Sequence, residues 1–211
     1  MAKIKPQNQR REEIVQATLK SIELYGLSGT TIKTISTLAG ISVGLINHHF
    51  GSKQLLLESA VRHLLEQLKT GLLTNFRGHE AGLSTAASAR QRLHSIVETN
   101  FASFQQSSSA SRTWLCFWAE AAHSPELSRL QQVNSRRLRS NLLYSYRALL
   151  PSRQDAVNAA EMTAAMIDGF WLRSTLSNSP EQCFLAAEQH CKTYIDQVIA
   201  GFGDTGHSDE S

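Results

Sequence analysis

The feature that most constrains this chain is a pair of short helical segments joined by a glycine turn within residues 30–53, TTIKTISTLAGISVGLINHHFGSK. Ala39 is small enough for the two helices to cross closely, and Gly40 supplies the backbone freedom that a tight turn needs. Ile41 can fill the angle between the helices, and Ser42 is a suitable N-cap for the second one. The pattern predicts a helix-turn-helix unit that holds its second helix out from the rest of the chain.

The second helix of this unit should present small or hydrogen-bonding side chains to its surroundings. Such side chains can approach base edges and thymine methyl groups in the major groove, and we expect base contacts from Ser42, Val43, Gly44, Asn47 and His48. Polar and basic side chains flank the helix where the phosphates of a duplex would lie, and we expect backbone contacts from Thr31, Lys33, His49 and Lys53. An ordinary corner inside a helical bundle is the alternative, but a buried corner would not need this flanking basic set.

Apolar residues recur at helical spacing along almost the whole sequence, and no convincing strand or repeat is present. Gly26 is a candidate helix stop, and the Ser-Pro pairs that begin at Ser124 and Ser179 are typical helix starts. Small and polar residues predict a linker at 78–88 and a break at 105–111. We therefore expect an all-α protein of about nine helices, three or four short ones followed by five longer ones.

The surplus of positive charge lies at the N-terminal end of the chain. Residues 1–70 hold nine Lys/Arg against five Asp/Glu, a net charge of +4, whereas residues 71–211 hold twelve against thirteen, a net charge of −1. This distribution favours a polyanion-binding head on a neutral body, with ordinary surface charge as the alternative. We expect a helix-turn-helix DNA-binding domain over residues 1–52, a helical ligand-binding and dimerisation domain over residues 53–200, and a disordered tail over residues 201–211.

The sequence lacks the usual marks of a secreted, membrane or catalytic protein. No apolar run approaches the ~18 residues that span a bilayer, and we expect neither a secretory signal nor a membrane partner. Three cysteines without a CxxC pair indicate a reduced cytoplasmic setting. Because no nucleotide-binding, metalloprotease or hydrolase motif is present, we expect no cofactor, no metal site and no catalytic residues. An all-helical enzyme acting on a small amine is the alternative from a different functional class.

Tryptophan and phenylalanine residues concentrate in the body, beside a carboxylate. Burying Asp168 within its apolar surroundings would be costly unless a cation paired with it. The faces of tryptophan rings together with one carboxylate suit a quaternary ammonium ligand. We therefore expect a ligand site formed by three helices. The first carries Asn100, Phe101 and Phe104, the second Trp114, Phe117 and Trp118, and the third Asp168 and Trp171. Two alternatives stay open: the aromatic residues form an ordinary core, or Arg112 or Arg173 pairs with Asp168.

The last two long helices, predicted at 153–176 and 180–200, are apolar on more than one face and rich in alanine. Two such helices from each of two subunits would form a two-fold four-helix interface, with Ala164 and Ala187 in it. A homodimer carries two recognition helices, which suits a palindromic operator in double-stranded DNA. The alternative is that both faces are buried within one subunit.

Residues 10–57, which contain TTIKTISTLAGISVGLINHHFGSKQLLL, resemble the N-terminal signature of TetR-family transcriptional repressors. The sequence departs from the family pattern at Asn47 and His49, where aromatic residues are usual, although the ring N–H of His49 can donate to a phosphate. The resemblance implies a dimeric DNA-binding protein whose C-terminal domain senses a ligand.

Two later segments, WLCFWAEAAHSPELSRLQQVNSRRLRSNLLYSYRALLP and MIDGFWLR, resemble the choline-responsive branch of the same family. This second resemblance implies choline as the effector that relieves repression, and genes of glycine-betaine synthesis as the targets. Another cation or an apolar small molecule is the alternative effector.

Overall fold

The computed structural model describes residues 7–79 and 85–203, and all regular structure within them is helical. The helices are α1 (Gln7–Gly29), α2 (Ile32–Ala39), α3 (Val43–Phe50), α4 (Lys53–His79), α5 (Thr85–Asn100), α6 (Ser103–Gln106), α7 (Ser108–Ala121), α8 (Pro125–Tyr146), α9 (Arg153–Thr175) and α10 (Pro180–Gly203). The all-α prediction is confirmed, and the short α6 is a helix that was not predicted from the sequence. In the described ranges, no helix is both long enough and apolar enough to cross a membrane.

Side-chain caps start both helices of the helix-turn-helix unit. Thr31 Oγ1 accepts the backbone N–H of Thr34 at 3.1 Å, and Thr34 Oγ1 accepts the backbone N–H of Thr31 at 2.8 Å, which completes a capping box. Ser42 Oγ accepts the backbone N–H of Leu45 at 3.4 Å and starts α3. Between the helices, Gly40 adopts the left-handed conformation with φ 63°, which the tight turn requires.

The apolar side chains of the first four helices meet in one core. Ile35 of α2 and Ile46 of α3 are fully buried in it. The other buried members are Ile14, Val15, Ala17, Phe50 and Leu56. Ala39 and Ile41 pack against this core at the turn, as the sequence predicts. Since burial of each large aliphatic side chain contributes roughly 1.5–3 kcal/mol, this packing fixes α3 by one face and leaves the opposite face outward.

The differences between predicted and observed helix ends have local causes. Gly26, the predicted helix stop, adopts φ 65° and kinks α1. The chain then continues in a further helical turn to Gly29. Within the break predicted at 105–111, only Ser107 is non-helical. Its side chain accepts the backbone N–H of Ala110 and caps the start of α7. The predicted linker at 78–88 is helical at both ends, and α10 extends to Gly203, three residues into the predicted tail. Residues 80–84 and 204–211 lie outside the described residues.

The described residues form two compact units, and each unit combines segments that are not adjacent in the sequence. The first unit contains residues 7–67 and 107–131, and in it α1 packs against α2 and α7. The second unit contains residues 68–79, 85–106 and 132–203, and in it α10 packs against α9 and α5. Packing therefore groups α7 and the first part of α4 with the helix-turn-helix unit. The functional boundary after residue 52 stays a prediction.

Candidate nucleic-acid interface and effector site

The face of α3 opposite the core is open to solvent. Val43, Gly44, Asn47 and His48 are exposed along it, and the N-cap Ser42 is exposed too. Positions separated by one, four and five residues lie on one side of a helix, so these side chains form a continuous surface. The five residues predicted to contact bases are thus presented outward together, and their contacts with DNA stay a prediction.

Gly44 is a residue of α3 that the packing of the protein does not explain. Its φ is not positive, so the backbone does not demand glycine. A Cβ atom at this position would meet no atom of the described residues within 4 Å, so space does not demand glycine either. Glycine costs a helix up to about 1 kcal/mol relative to alanine. The packing of the described residues therefore gives no reason for glycine at this position, and a bare backbone is what would allow a partner to approach closely.

The residues predicted to contact phosphates differ in exposure. Thr31 and Lys33 are exposed, whereas His49 is half-buried and lies edge-on to His48 with ring centroids 5.5 Å apart. Lys53 is also half-buried, at the start of α4, where it lines a cavity of about 690 Å³ within the first unit. Of the four predicted phosphate contacts, Thr31 and Lys33 are therefore the two whose side chains are exposed to solvent.

The helix-turn-helix unit carries positive charge without any negative charge. Between Glu23 and Glu58 the sequence has Lys33 and Lys53 but no aspartate or glutamate. Carboxylates repel phosphates, so their absence across α2 and α3 leaves a surface that a polyanion can approach. The exposure of α3, the bare backbone at Gly44 and this charge pattern all point to DNA as the partner.

Trp114, Phe117 and Trp118 form one aromatic cluster on α7, in the first unit. The ring centroid of Trp114 lies 5.8 Å from that of Phe117 and 6.2 Å from that of Trp118. Trp114 and Phe117 are buried, and Trp118 is half-buried. The i, i+3, i+4 spacing in the sequence therefore produces ring contacts, and the role of these rings in ligand binding stays a prediction.

A second aromatic cluster lies in the other unit and is centred on Phe184 of α10. Trp171 packs against Phe184 with ring centroids 5.9 Å apart, and Phe101 packs against the same ring at 6.3 Å. All three side chains are buried. Phe184 could not be predicted as a site residue from the sequence, because one phenylalanine on an alanine-rich helix has the pattern of an ordinary core residue.

Asn100, Phe101 and Phe104 do not lie on one helix, and that prediction is wrong. The backbone turns after Asn100, so Phe101 lies in the turn and Phe104 lies on the separate α6. The side-chain amide of Asn100 donates to the carbonyl of Ile96 at 2.8 Å, which engages it within its own helix.

Asp168 of α9 is accessible to solvent yet surrounded by protein. Its side chain is exposed, but the pKa of its carboxyl is raised from 3.8 to about 6 because the protein around it displaces water. Near pH 7 the group is mostly ionised, which leaves a carboxylate for a cation to meet.

Asp168 has no internal counter-ion within residues 7–79 and 85–203. Arg112, one of the two suggested partners, instead donates to the backbone carbonyl of Glu23 at 2.6 Å. Arg173, the other, is exposed, and no ion pair joins it to Asp168. The alternative in which an internal arginine neutralises this carboxylate is therefore wrong.

The residues predicted to hold an effector fall into two sets. Trp114, Phe117 and Trp118 belong to the first unit, and the other set belongs to the second unit: Asn100, Phe101, Phe104, Asp168 and Trp171. Within the second set, the aromatic contacts of Trp171 and the unpaired carboxylate of Asp168 are the features that suit a cationic ligand. One site formed by both sets stays a prediction.

Comparison with known proteins gives two family matches that together cover most of the chain. The family of bacterial regulatory proteins described as the tetR family matches residues 14–60, and the C-terminal region of BetI-type transcriptional repressors matches residues 89–200. The HTH-type transcriptional regulator BetI of Paraburkholderia xenovorans (strain LB400) is 40% identical over 200 residues, which are 95% of this chain and 98% of that protein. The protein of the same name from Escherichia coli O9:H4 (strain HS) is 44% identical over 180 residues, 85% of this chain and 89% of that protein.

Solved structures of other regulators have the same fold. A transcriptional regulator from Pseudomonas aeruginosa PAO1 is 26% identical, with a TM-score of 0.75 and coverage of 94% of each chain. A regulator from Saccharomonospora viridis, solved in complex with choline, is 22% identical, with a TM-score of 0.73 and coverage of 90% of this chain and 97% of that chain. The likeness to the second protein is one of fold.

Proposed function

As a member of the TetR family with a BetI-type C-terminal domain, this chain is a DNA-binding transcriptional repressor with a small-molecule effector, and we propose that the effector is choline. The proposed targets are genes for the synthesis of glycine betaine from choline. The relatives are named as transcriptional regulators, so the enzyme alternative is set aside. We place the protein in the cytoplasm, where a bacterial repressor meets its operator.

The observation that carries the choline proposal is the Asp168 carboxylate, which has no counter-ion among the described residues and lies one helical turn from the buried Trp171. Choline has a permanent positive charge on a quaternary nitrogen that cannot donate an N–H hydrogen bond. A protein therefore recognises this group by a nearby negative charge and by aromatic faces. Asp168 supplies the charge, and Trp171 lies three residues further along the same helix.

We propose that the repressor is a homodimer joined through α9 and α10. Exposed apolar or small residues recur along α9 and at its C-cap with the alternating three- and four-residue spacing of a helix-packing seam: Met162, Ala165, Gly169, Leu172 and the C-cap Leu176. On α10, Leu185 is 73% exposed in the single chain. A second copy related by a two-fold axis would cover this face and pair two α3 helices for a palindromic operator. Ala187 is buried inside its own unit, so its assignment to the interface was wrong.

The proposed switch acts through α4. Two residues separate this helix from the end of α3, and it continues without interruption from Lys53 to His79. Choline binding would reposition the helices around Asp168 and Trp171 and thereby shift α4. Movement of α4 by an ångström or two would change the separation of the two recognition helices in the dimer.

Calorimetric titration with four ligands tests the choice of effector. We expect choline to bind more tightly than glycine betaine, whose carboxylate is repelled by Asp168. Betaine aldehyde, which keeps the quaternary ammonium, should bind measurably. The matched control is 3,3-dimethyl-1-butanol, the uncharged carbon isostere of choline, which should bind weakly. If the isostere binds as well as choline, the effector is apolar and the proposed role of Asp168 is wrong.

A further inference from the structure

Gln54, the second residue of α4, makes side-chain contacts that join the start of α4 to the start of α8. Its amide nitrogen Nε2 donates to Ser124 Oγ at 3.0 Å and to Glu126 Oε2 at 3.2 Å. The two partners lie 70 and 72 residues away in the sequence, so no local turn requires these hydrogen bonds. Gln54, Ser124 and Glu126 all belong to the first unit, and together they form the α4–α8 clasp.

Both partners of Gln54 also organise the first turn of α8. Ser124 Oγ accepts the backbone N–H of Leu127 at 3.4 Å, and its hydroxyl donates to Glu126 Oε2 at 3.1 Å. With the bond from Gln54, the Ser124 hydroxyl uses its hydrogen and both of its lone pairs. The pKa of the Glu126 carboxyl is lowered, first by its own backbone N–H and then by the donors Ser124 and Gln54. Glu126 is therefore an anion at the N-terminus of α8, where the helix dipole favours negative charge.

α8 connects the α4–α8 clasp to the helix that bears Asp168. It is one continuous helix of 22 residues, whose first turns belong to the first unit and whose remainder belongs to the second. At its C-terminal end, the Tyr146 hydroxyl is hydrogen-bonded to Thr163 Oγ1 of α9 at 2.8 Å, and both side chains are fully buried. Asp168 follows Thr163 on the same helix. Because each turn of a helix is hydrogen-bonded to the next, α8 can transmit a displacement along its length.

We propose that Gln54 is a positioning residue that couples the effector site to the helix-turn-helix unit through α8. A displacement of α9 would move α8 through the contact between Tyr146 and Thr163, and the α4–α8 clasp would pass this movement to the first turn of α4. Only two residues separate that turn from α3, so the recognition helix follows it. The inference rests on the proposed effector function and identifies the side chains that link the two sites.

Hydrogen exchange of the full-length protein, with and without a duplex selected from a random pool, tests the clasp without any effector. Duplex binding should change the exchange rate of the amides in the first turn of α8, including that of Leu127, by about twofold or more in the wild type. Gln54→Ala removes the donor of the clasp and should abolish this change. Gln67→Ala is the matched control, because Gln67 is an exposed glutamine on the same helix, and it should behave like the wild type.

The ratio of the operator dissociation constants with and without saturating choline tests the whole path. In Gln54→Ala this ratio should be smaller than in the wild type by about threefold or more, because the path between the sites is interrupted. Calorimetry should show that the DNA-free variant binds choline like the wild type. Glu126→Gln keeps a side-chain oxygen that can accept from Gln54, and it should retain most of the wild-type ratio.

The proposal is overturned if duplex binding leaves the exchange of α8 unchanged in the wild type. It is also overturned if Gln54→Ala, verified as folded by its melting temperature, keeps the wild-type ratio. Loss of operator affinity by the same factor with and without choline leaves the ratio intact, so a purely structural role of Gln54 gives this second result. If the exchange response is present in the wild type and lost in Gln54→Ala but choline does not bind, the clasp is supported and the choice of choline is wrong.

Discussion

Asp168 and Trp171 lie one helical turn apart on α9, the carboxylate exposed and the indole buried against Phe184. The i, i+3 spacing puts both side chains on the same side of the helix. A cation at the carboxylate would therefore lie on the side of α9 that also carries an aromatic ring of the same unit. This relationship is the structural basis of the choline proposal, and the first two predictions follow from it.

Replacing Asp168 by asparagine should weaken choline binding by about tenfold or more, which corresponds to about 1.4 kcal/mol. The substitution removes the charge and keeps the shape, so operator affinity should stay close to that of the wild type. Glu161→Gln is the control, because Glu161 is an exposed carboxylate on the same helix that pairs with Arg139. Calorimetric titration measures the choline affinity of both variants. If Asp168→Asn binds choline as tightly as the wild type does, this carboxylate does not contribute to choline binding.

Choline affinity should fall as the pH is lowered through about 6, the raised pKa of Asp168. Below that pH the carboxyl is protonated in the free protein, and a bound cation must displace the proton. The pKa of Asp168 is higher in the folded protein than in the unfolded chain, so its protonation at low pH stabilises the folded state. This stabilisation is lost as the pH rises through about 6. The melting temperature of Asp168→Asn at pH 7 should therefore be no lower than that of the wild type. A wild-type choline affinity that is flat between pH 5 and 8 would contradict this assignment.

Gly44→Ala should leave the protein at least as stable and should weaken operator binding. The folded protein has room for the added methyl group, and alanine is the better helix former. Any loss of DNA affinity must then arise from contact with the duplex. Gly201→Ala is the control, because a Cβ there also meets no atom within 4 Å and the residue lies on α10. Tight operator binding by a stable Gly44→Ala variant would show that DNA does not approach the backbone at this position.

Leu185→Glu should convert the dimer into a monomer and weaken operator binding, because both half-sites must be occupied together. Leu185 is 73% exposed in the single chain, so the substitution does not disturb the core of its own subunit. Val133→Glu changes a residue of α8 that is 44% exposed and should leave the assembly intact. Analytical ultracentrifugation distinguishes the two cases. A wild-type protein that sediments as a monomer at micromolar concentration would refute the proposed interface.

The helix-turn-helix unit could be predicted almost completely from the sequence because its signals are local. Thr31 and Ser42 cap the helices that follow them, Gly40 takes a left-handed turn, and Ile46 faces the core. Each of these outcomes depends on a few neighbouring residues and on backbone geometry that only certain side chains permit.

The effector region could be predicted only in part, because its arrangement depends on long-range packing. The ring contacts on α7 follow from i, i+3 and i+4 spacing, and the sequence is sufficient for them. The contact between Phe184 and Trp171 joins two helices, and no spacing rule predicts which faces meet. The turn after Asn100 has no glycine or proline to mark it, so a continuous helix was the natural prediction.

The most direct test of the central claim is the affinity of the repressor for its operator with and without choline. A duplex selected by the protein from a random pool serves as the operator, and fluorescence anisotropy gives the dissociation constant. Choline can change this constant only through its differential affinity for the two conformations. A coupling of about 1–3 kcal/mol predicts that saturating choline weakens operator binding roughly 5- to 150-fold. An operator affinity that is unchanged at saturating choline would contradict the account.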